Sequence, residues 1–145
     1  MSTSDRINRI ADLKKEREKA ARLALKAGQD QLQEQEAVTR QLHTYAEEYG
    51  EAYASIEQTQ MVQLQNFRRF LDGVIKAEES QEKVTELRRE ATTGLRKEWL
   101  KEWHRYQSLL ALRDKRRAEE KMTLARREER RMADLIGQRR RRTDP

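Results

Sequence analysis

Apolar and aromatic residues recur along this chain at alternating spacings of three and four, the pattern of a helix that packs lengthwise against another helix. In the first half the row comprises Gln35, Val38, Leu42, Tyr45, Tyr49, Ala52 and Ile56. Upstream it continues through smaller residues, at Ile10, Leu13, Ala20 or Ala21, Ala24 and Ala27. Small residues allow two helices to approach closely while burying little surface. The N-terminal part is therefore expected to pack closely but weakly.

A second row follows a break in the pattern. It comprises Phe67, Phe70, Val74, Ala77, Gln81, Val84, Arg88, Ala91 and Leu95, and it resumes at Leu109 and Leu112. The break lies between Gly50 and Gln60, where Ser55 or Thr59 could cap a helix and Ser55 with Gln58 fits a capping box.

Two long periodic segments joined by one short break predict an all-α fold, an antiparallel two-helix coiled-coil hairpin. We expect a single domain over residues 1–145, with helix one at about 5–50, a turn at about 50–60 and helix two at about 60–140. At a rise of 1.5 Å per residue the helices would be roughly 70 Å and 120 Å long. The second helix is therefore expected to overhang the first.

The composition supports an extended helical chain over a globular one. Charged residues make up 40% of the 145 residues, hydrophobic residues only 35%, and the one proline is Pro145. Such a chain is either disordered or helical with a narrow apolar stripe, and the periodicity favours the helical alternative. A helical hairpin has no pocket from which water is excluded, so the protein is predicted not to be an enzyme.

The basic charge is concentrated at one end. Residues 1–112 hold 19 basic and 19 acidic side chains, whereas residues 113–145 hold 13 and 7, so the net charge of +6 lies in the last 33 residues. The expected overhang is therefore basic. It is either a solvated helix face or a surface that meets an acidic protein, a nucleic acid or an anionic lipid.

Several chemistries lack the residues they require. There is no cysteine, and His43 and His104 form no metal-binding motif, so no metal site is predicted. The five glycines are at least 21 residues apart, so no phosphate-binding loop is expected. No cofactor or small-molecule substrate is expected either, because a helical hairpin offers no pocket. Arg126 to Arg131 and Arg139 to Arg142 have no interleaved aromatic residues, which argues against nucleic-acid recognition, although a nucleic-acid-binding coiled coil stays an alternative.

The chain also lacks an apolar run of the roughly 20 residues that span a bilayer, and its first 15 residues lack the apolar core of a signal peptide. Secretion and membrane insertion are therefore not expected. A cytoplasmic location is expected instead.

The aromatic residues gather near the predicted turn. In a hairpin, Tyr45, Tyr49 and Tyr53 converge with Phe67 and Phe70 at one end. They either pin the turn by packing between the helices or bind a protein partner, for which tyrosine is a favoured anchor. A second pair, formed by two tryptophans one helical turn apart at positions 99 and 103, is either a second binding patch or packs on helix one.

Three segments resemble the FliJ family of the bacterial flagellar export apparatus. They are Leu13-Lys-Lys-Glu-Arg-Glu-Lys-Ala-Ala-Arg-Leu23, Gln41-Leu-His-Thr-Tyr-Ala-Glu-Glu-Tyr49 and Gln65-Asn-Phe-Arg-Arg-Phe-Leu71. Trp99 and the run from Glu129 to Asp134 also lie where this family places similar residues. The most specific part is Leu-x-x-Tyr-x-x-x-Tyr followed by Asn-Phe-x-x-Phe.

The resemblance implies a coiled-coil stalk that inserts into and stimulates the hexameric export ATPase FliI, contacts the export gate protein FlhA, escorts export chaperones and reaches the cell membrane through these partners. The residues that would bind the gate are Leu42, Tyr45, Tyr49, Phe70, Val74, Ala77 and Gln81, and those that would bind the ATPase are Arg139, Arg140, Arg141 and Arg142. Val74 and Gln81 differ in residue type from the family pattern. A related stalk protein of a type III secretion system is the nearest alternative.

Overall fold

The structure, a computed structural model, describes residues 2–54 and 61–143 and is all-helical over these ranges. Helix α1 spans Thr3–Ala54 and helix α2 spans Met61–Thr143. Both helices are rich in Ala, Glu, Gln, Lys and Arg, which lose little side-chain freedom in a helix, and neither contains a proline. The first helix, expected at about residues 5–50, continues in the structure through Gly50 to Ala54. The capping-box residues predicted between positions 55 and 60 lie outside the described residues.

The helix ends carry favourable groups. The Ser2 hydroxyl accepts a hydrogen bond from the Asp5 backbone N–H at 3.2 Å, as an N-cap residue does. Hydrogen bonds that the Ser2 hydroxyl and then its backbone N–H make to the Asp5 carboxyl hold the pKa of that carboxyl below its usual value. The last turn of α2 contains Arg140 to Arg142, whose charge complements the negative end of the helix dipole.

The two helices pack against each other in two compact units, one formed by residues 20–100 and the other by residues 1–19 with 101–145. In the unit of residues 20–100, Gly28 contacts Thr92, Thr39 contacts Thr85, and Tyr45 contacts Phe70. Residue numbers rise along α1 as they fall along α2. The helices are therefore antiparallel within this unit.

The packed positions follow a strict heptad on each helix. We label them a and d, starting at a = Ser4 on α1 and a = Leu64 on α2. On α1 the buried or half-buried row is Ser4, Ile7, Ala11, Lys14, Glu18, Ala21, Leu25, Gly28, Leu32, Gln35, Thr39, Leu42, Ala46, Tyr49 and Tyr53. On α2 the corresponding row runs from Leu64 to Glu120 at the same alternating spacing, and only its members Arg88 and Arg116 are exposed. We call these a and d rows the seam.

Small and polar side chains fill much of this seam. Thr85 is 1% exposed, and its hydroxyl oxygen lies 2.9 Å from that of Thr39. The amide side chains of Gln35 and Gln81 are hydrogen-bonded to each other one turn away. A methyl group at Gly28 would lie 2.6 Å from Cδ1 of the opposing leucine, so the helices approach closely there. Such positions bury little apolar area.

The unit of residues 1–19 and 101–145 places the start of α1 against α2. Glu120 accepts hydrogen bonds from the Ser4 backbone N–H at 3.1 Å and from its hydroxyl at 2.6 Å. These two bonds hold the pKa of the Glu120 carboxyl below its usual value. Arg113 donates to the Asn8 side chain at 2.9 Å. The described residues from 121 to 142 are exposed, apart from half-buried Gly137.

The predicted packing rows are partly wrong, because from Gln35 onward they follow d and g positions instead of a and d, and upstream they include c positions such as Leu13 and Ala27. On α1 the structure packs Thr39 and Ala46 where the prediction had Val38 and Tyr45. The other predicted members that are exposed are Ile10, Leu13, Ala24, Ala27, Ala52, Phe70, Ala77, Val84, Arg88, Ala91 and Leu112. Of the alternatives Ala20 and Ala21, the first is exposed and the second is half-buried in the seam, and Ile56 lies outside the described residues.

Each helix carries two overlapping rows of mostly uncharged residues that share the d positions. Farther upstream on α1 the a residues packed in the seam are bulkier than the neighbouring g residues, because positions 25 and 32 are leucines. Toward residue 54 the packed a residues, Thr39 and Ala46, are smaller or more polar than their g neighbours. The bulkier g residues Val38 and Tyr45 therefore face solvent at that end.

Candidate partner-binding surface

The antiparallel packing gives the unit of residues 20–100 two distinct sides. The g positions of both helices lie on one side, as the contact between Tyr45 and Phe70 shows. The e positions lie on the other, where Arg89 pairs with Glu36 at 3.5 Å. We call the first side the g face and define it by Val38, Tyr45, Phe70, Ala77 and Val84.

Aromatic rings cluster at the end of this face nearest residue 54. The Tyr45 ring centroid lies 4.5 Å from that of Tyr49 and 6.3 Å from that of Phe70, and the Tyr49 and Phe70 centroids are 4.9 Å apart. Tyr53 stacks on Phe67 at 5.1 Å. The five aromatic residues expected near the turn therefore do come together.

Two members of the cluster present large apolar surface to solvent. Tyr45 is 40% exposed and Phe70 is 46% exposed, whereas Tyr49 is half-buried at a d position. The Tyr45 hydroxyl donates to the Tyr49 hydroxyl at 3.1 Å, and this hydrogen bond raises the pKa of Tyr45 above its ordinary value. Tyr49 therefore packs between the helices, whereas Tyr45 and Phe70 remain accessible.

The other predicted gate-binding residues divide between seam and surface. Ala77 is exposed on the g face, and Leu42 is half-buried at a d position. Val74 is only 8% exposed, and the Gln81 side chain is hydrogen-bonded to Gln35 within the seam. In this structure the last two residues support the packing beneath the surface. The accessible surface is formed mainly by Tyr45, Phe70 and Ala77.

Val38 and Val84 belong to this surface although they were not among the predicted site residues. Both are exposed at g positions, at 42% and 38%, and extend the face away from the aromatic cluster. The sequence signal was present, because both were placed in the predicted rows. The pattern did not mark these two residues as surface residues, because the prediction placed the d and g row between the helices.

The e side carries a histidine that bridges the helices. His43 Nδ1 lies 2.6 Å from Glu78 on α2, and Nε2 lies 3.0 Å from Glu47 on α1. The hydrogen bond to Glu78, followed by the charges of both carboxylates, raises the pKa of His43. This group stabilises the packing of the two helices.

The remaining predicted candidates lie in the unit of residues 1–19 and 101–145, or next to it. Trp103 is half-exposed and packs edge-on against His104, with ring centroids 5.1 Å apart, whereas Trp99 is half-buried in the α2 row of the seam. Arg139 to Arg142 are exposed near the end of α2. Arg130 and Arg131 lie upstream on the same exposed segment.

Over residues 3–143, the chain matches the family model described as flagellar FliJ protein. The chain belongs to the FliJ family. The match covers nearly the whole sequence, and it confirms the resemblance seen in the three sequence segments. No curated protein and no solved structure matched the chain.

Membership of the FliJ family makes this a protein of flagellar export, from a family of structural export components that is not a known enzyme family. Among residues 2–54 and 61–143, no group of three or more His, Asp or Glu side chains could hold a metal ion. Within the same ranges neither helix has a stretch apolar enough to cross a membrane.

Proposed function

We propose that this FliJ-family chain is a coiled-coil stalk of the flagellar export apparatus, with the g face contacting the export gate protein FlhA. The observation that carries the proposal is the exposure of Tyr45 and Phe70 beside each other on a face without charged g residues. Large aromatic anchors that bury on binding supply most of the energy of typical protein interfaces. In the structure this part of the two rings remains exposed to water.

The proposed architecture is an antiparallel hairpin whose second helix extends past the first as a basic overhang. Two observations support it. The N-terminus of α1 is capped by Glu120, and the described residues beyond Glu120 are largely exposed. This segment includes Arg139 to Arg142, which we assign to the contact with the export ATPase FliI.

The chain would act on the ATPase without taking part in the chemistry. A stalk that binds the assembled hexamer better than its separate subunits stabilises the hexamer by mass action. Export chaperones are further proposed partners, and a location in the cytoplasm at the inner face of the membrane would follow from binding to the gate.

The gate contact is tested by binding of the isolated cytosolic part of FlhA to the full chain. Replacing Tyr45 and Phe70 together by Ala is expected to weaken binding by about 2 kcal/mol or more, roughly 30-fold, because both lose buried anchor area. Tyr49 is left unchanged because it packs in the seam. The control is Ile75→Ala on the e side, which removes an apolar side chain of similar exposure, 41%.

Circular dichroism on each variant establishes first that both helices still form. A folded double variant that binds FlhA as tightly as the unaltered chain would rule out the g face as the gate contact. A control that binds equally weakly would show that the effect is not specific to this face.

The ATPase contact is tested separately by titrating the chain into FliI and measuring ATP hydrolysis. Replacing Arg139 to Arg142 by Gln is expected to reduce the stimulation, and the loss should shrink as salt is raised because exposed charges act through screened attraction. The Tyr45 and Phe70 variant should stimulate normally. Stimulation that is unchanged by the Gln replacements at low salt would contradict the assignment of the basic end.

A further inference from the structure

The g face has no charged residue at its g positions, although 40% of the chain is charged. On α1 the g positions from 31 to 52 are Gln, Val, Tyr and Ala, and on α2 those from 70 to 84 are Phe, Ala and Val. The c positions that border them on α2, from 66 to 94, are also uncharged. Arg88 closes one end of the face, where it donates to Gln31 at 2.8 Å. The face is therefore an apolar strip about 30 Å long, from the rise of 1.5 Å per residue.

The two outer edges of this strip carry opposite charge. On α1 the exposed c and f positions between 27 and 51 include Asp30, Glu34, Glu48 and Glu51 and no basic residue. On α2 the exposed f positions from 69 to 97 are Arg69, Lys76, Lys83, Glu90 and Lys97. One edge is acidic and the other predominantly basic. A partner that covers the strip must present the opposite charge at each edge.

We propose that two copies of this chain pair through their g faces, with the α1 helix of each copy lying over the α2 helix of the other. A twofold axis along the helices produces this arrangement and makes the same surface patch meet itself. Each acidic α1 edge then faces a basic α2 edge of the other copy. The alternative, with α1 over α1, would bring the two acidic edges together and is disfavoured.

The intramolecular contacts fix which charges meet. Tyr45 lies beside Phe70, so Glu48 is at about the same level along the pair as Arg69. A rotation about an axis parallel to the helices leaves every residue at the same height along that axis. Glu48 of one copy is therefore expected to face Arg69 of the other, while within one chain these two residues lie on opposite outer edges.

The size of the strip makes the dimer weak and reversible. A strip about 30 Å long and two helix diameters, about 20 Å, wide offers roughly 600 Å² per copy, below the roughly 800 Å² per partner of a standard stable interface. Self-pairing also covers Tyr45 and Phe70. If the proposed gate contact holds, on which this consequence rests, dimerisation and gate binding compete, and the dimer keeps the aromatic residues out of water until the gate is met.

Sedimentation equilibrium of the full chain over a range of concentrations tests the pairing. We expect a monomer–dimer equilibrium that Val84→Lys weakens at least tenfold, because the new charge would have to be buried in the apolar strip when two faces pair. Ile75→Lys is the matched control, since this residue is similarly exposed on the e side, and it should leave the equilibrium unchanged. Both variants should retain their helical circular dichroism.

Charge reversal tests the arrangement. Glu48→Arg alone and Arg69→Glu alone should each dimerise less than the unaltered chain, because each homodimer then contains two like-charged pairs. An equimolar mixture of the two single variants should dimerise more strongly than either, because both pairs in the mixed dimer avoid the like-charge contacts of the homodimers.

A chain that is monomeric at every concentration would overturn the proposal, and so would a dimer insensitive to Val84→Lys. A mixture no stronger than the single variants would overturn the arrangement of α1 over α2. Tight FlhA binding by a strictly monomeric chain would refute the dimer while leaving the proposed gate contact standing.

Discussion

Two buried threonines provide a sharp test of which residues form the seam. The Thr39 and Thr85 hydroxyl oxygens are 2.9 Å apart, and each hydroxyl can also donate to a carbonyl four residues earlier, at 3.0 Å for Gln35 and 2.8 Å for Gln81. Two hydroxyls carry only two protons, so these three contacts cannot all be hydrogen bonds at once. The pair is therefore incompletely satisfied within the seam.

Replacing one partner should cost more than replacing both. We expect Thr39→Val or Thr85→Val alone to lower the free energy of unfolding by about 1 kcal/mol, because the remaining buried hydroxyl oxygen then faces a methyl group. The double variant should unfold within about 0.5 kcal/mol of the unaltered chain or be more stable, because two apolar groups of the same shape replace the polar pair. The coupling energy should therefore be about 1 kcal/mol or more.

Val38→Thr and Val84→Thr form the control cycle, since each residue is next in sequence to one of the threonines but exposed on the g face. Each change should alter the free energy of unfolding by less than about 0.5 kcal/mol, and the two should add. The assay is urea unfolding followed by circular dichroism, at concentrations low enough that further dilution leaves the midpoint unchanged. Strong coupling between the valines with none between the threonines would refute this register and support the d and g row.

Two further predictions concern single positions. Gly94→Ala should stabilise the chain by up to about 1 kcal/mol in urea unfolding, because its methyl group meets nothing within 4 Å, whereas Gly28→Ala should give little or no gain because its methyl group would crowd α2; equal gains would contradict the close approach. His43→Gln should lower the urea midpoint most below about pH 6.5, the ordinary histidine pKa. Glu78 and Glu47 raise the folded pKa, so the stabilisation is complete below the unfolded pKa and is lost as pH rises through the raised value. A difference between variant and unaltered chain that is the same at acidic and alkaline pH would contradict this bridge.

The regular spacing of apolar residues was sufficient to predict two long helices that pack against each other. A chain this rich in charged residues buries apolar surface only along such a stripe, which needs a second helix to cover it. The spacing was not sufficient to select the register. The d residues Leu42 and Tyr49 belong to both candidate rows, and the choice between Val38 and Thr39 depends on how closely the helices approach. Hydrophobicity favours the valine, whereas the structure buries the threonine.

The ambiguity between the two registers also explains why the predicted gate residues are divided between the seam and the surface. The predicted gate residues are all d or g positions, so they lie on one side of the helix pair whichever register holds. The sequence could not show that Val74 is buried while Phe70 is accessible, because this difference arises only when α1 covers the d row. The hydrogen bond between Gln35 and Gln81 likewise needs two helices placed side by side.

The most direct test of the account is secretion of flagellar proteins by the source bacterium after deletion of this gene and its replacement by variants. The unaltered gene and Ile75→Ala are expected to restore secretion to similar levels. The variant with Tyr45 and Phe70 both replaced by Ala should accumulate to the same level in the cell and yet fail to restore secretion, because it lacks the accessible aromatic anchors of the g face. Secretion restored by this variant as fully as by the unaltered gene would contradict the claim that the g face is the partner-binding surface that this FliJ-family protein needs for export.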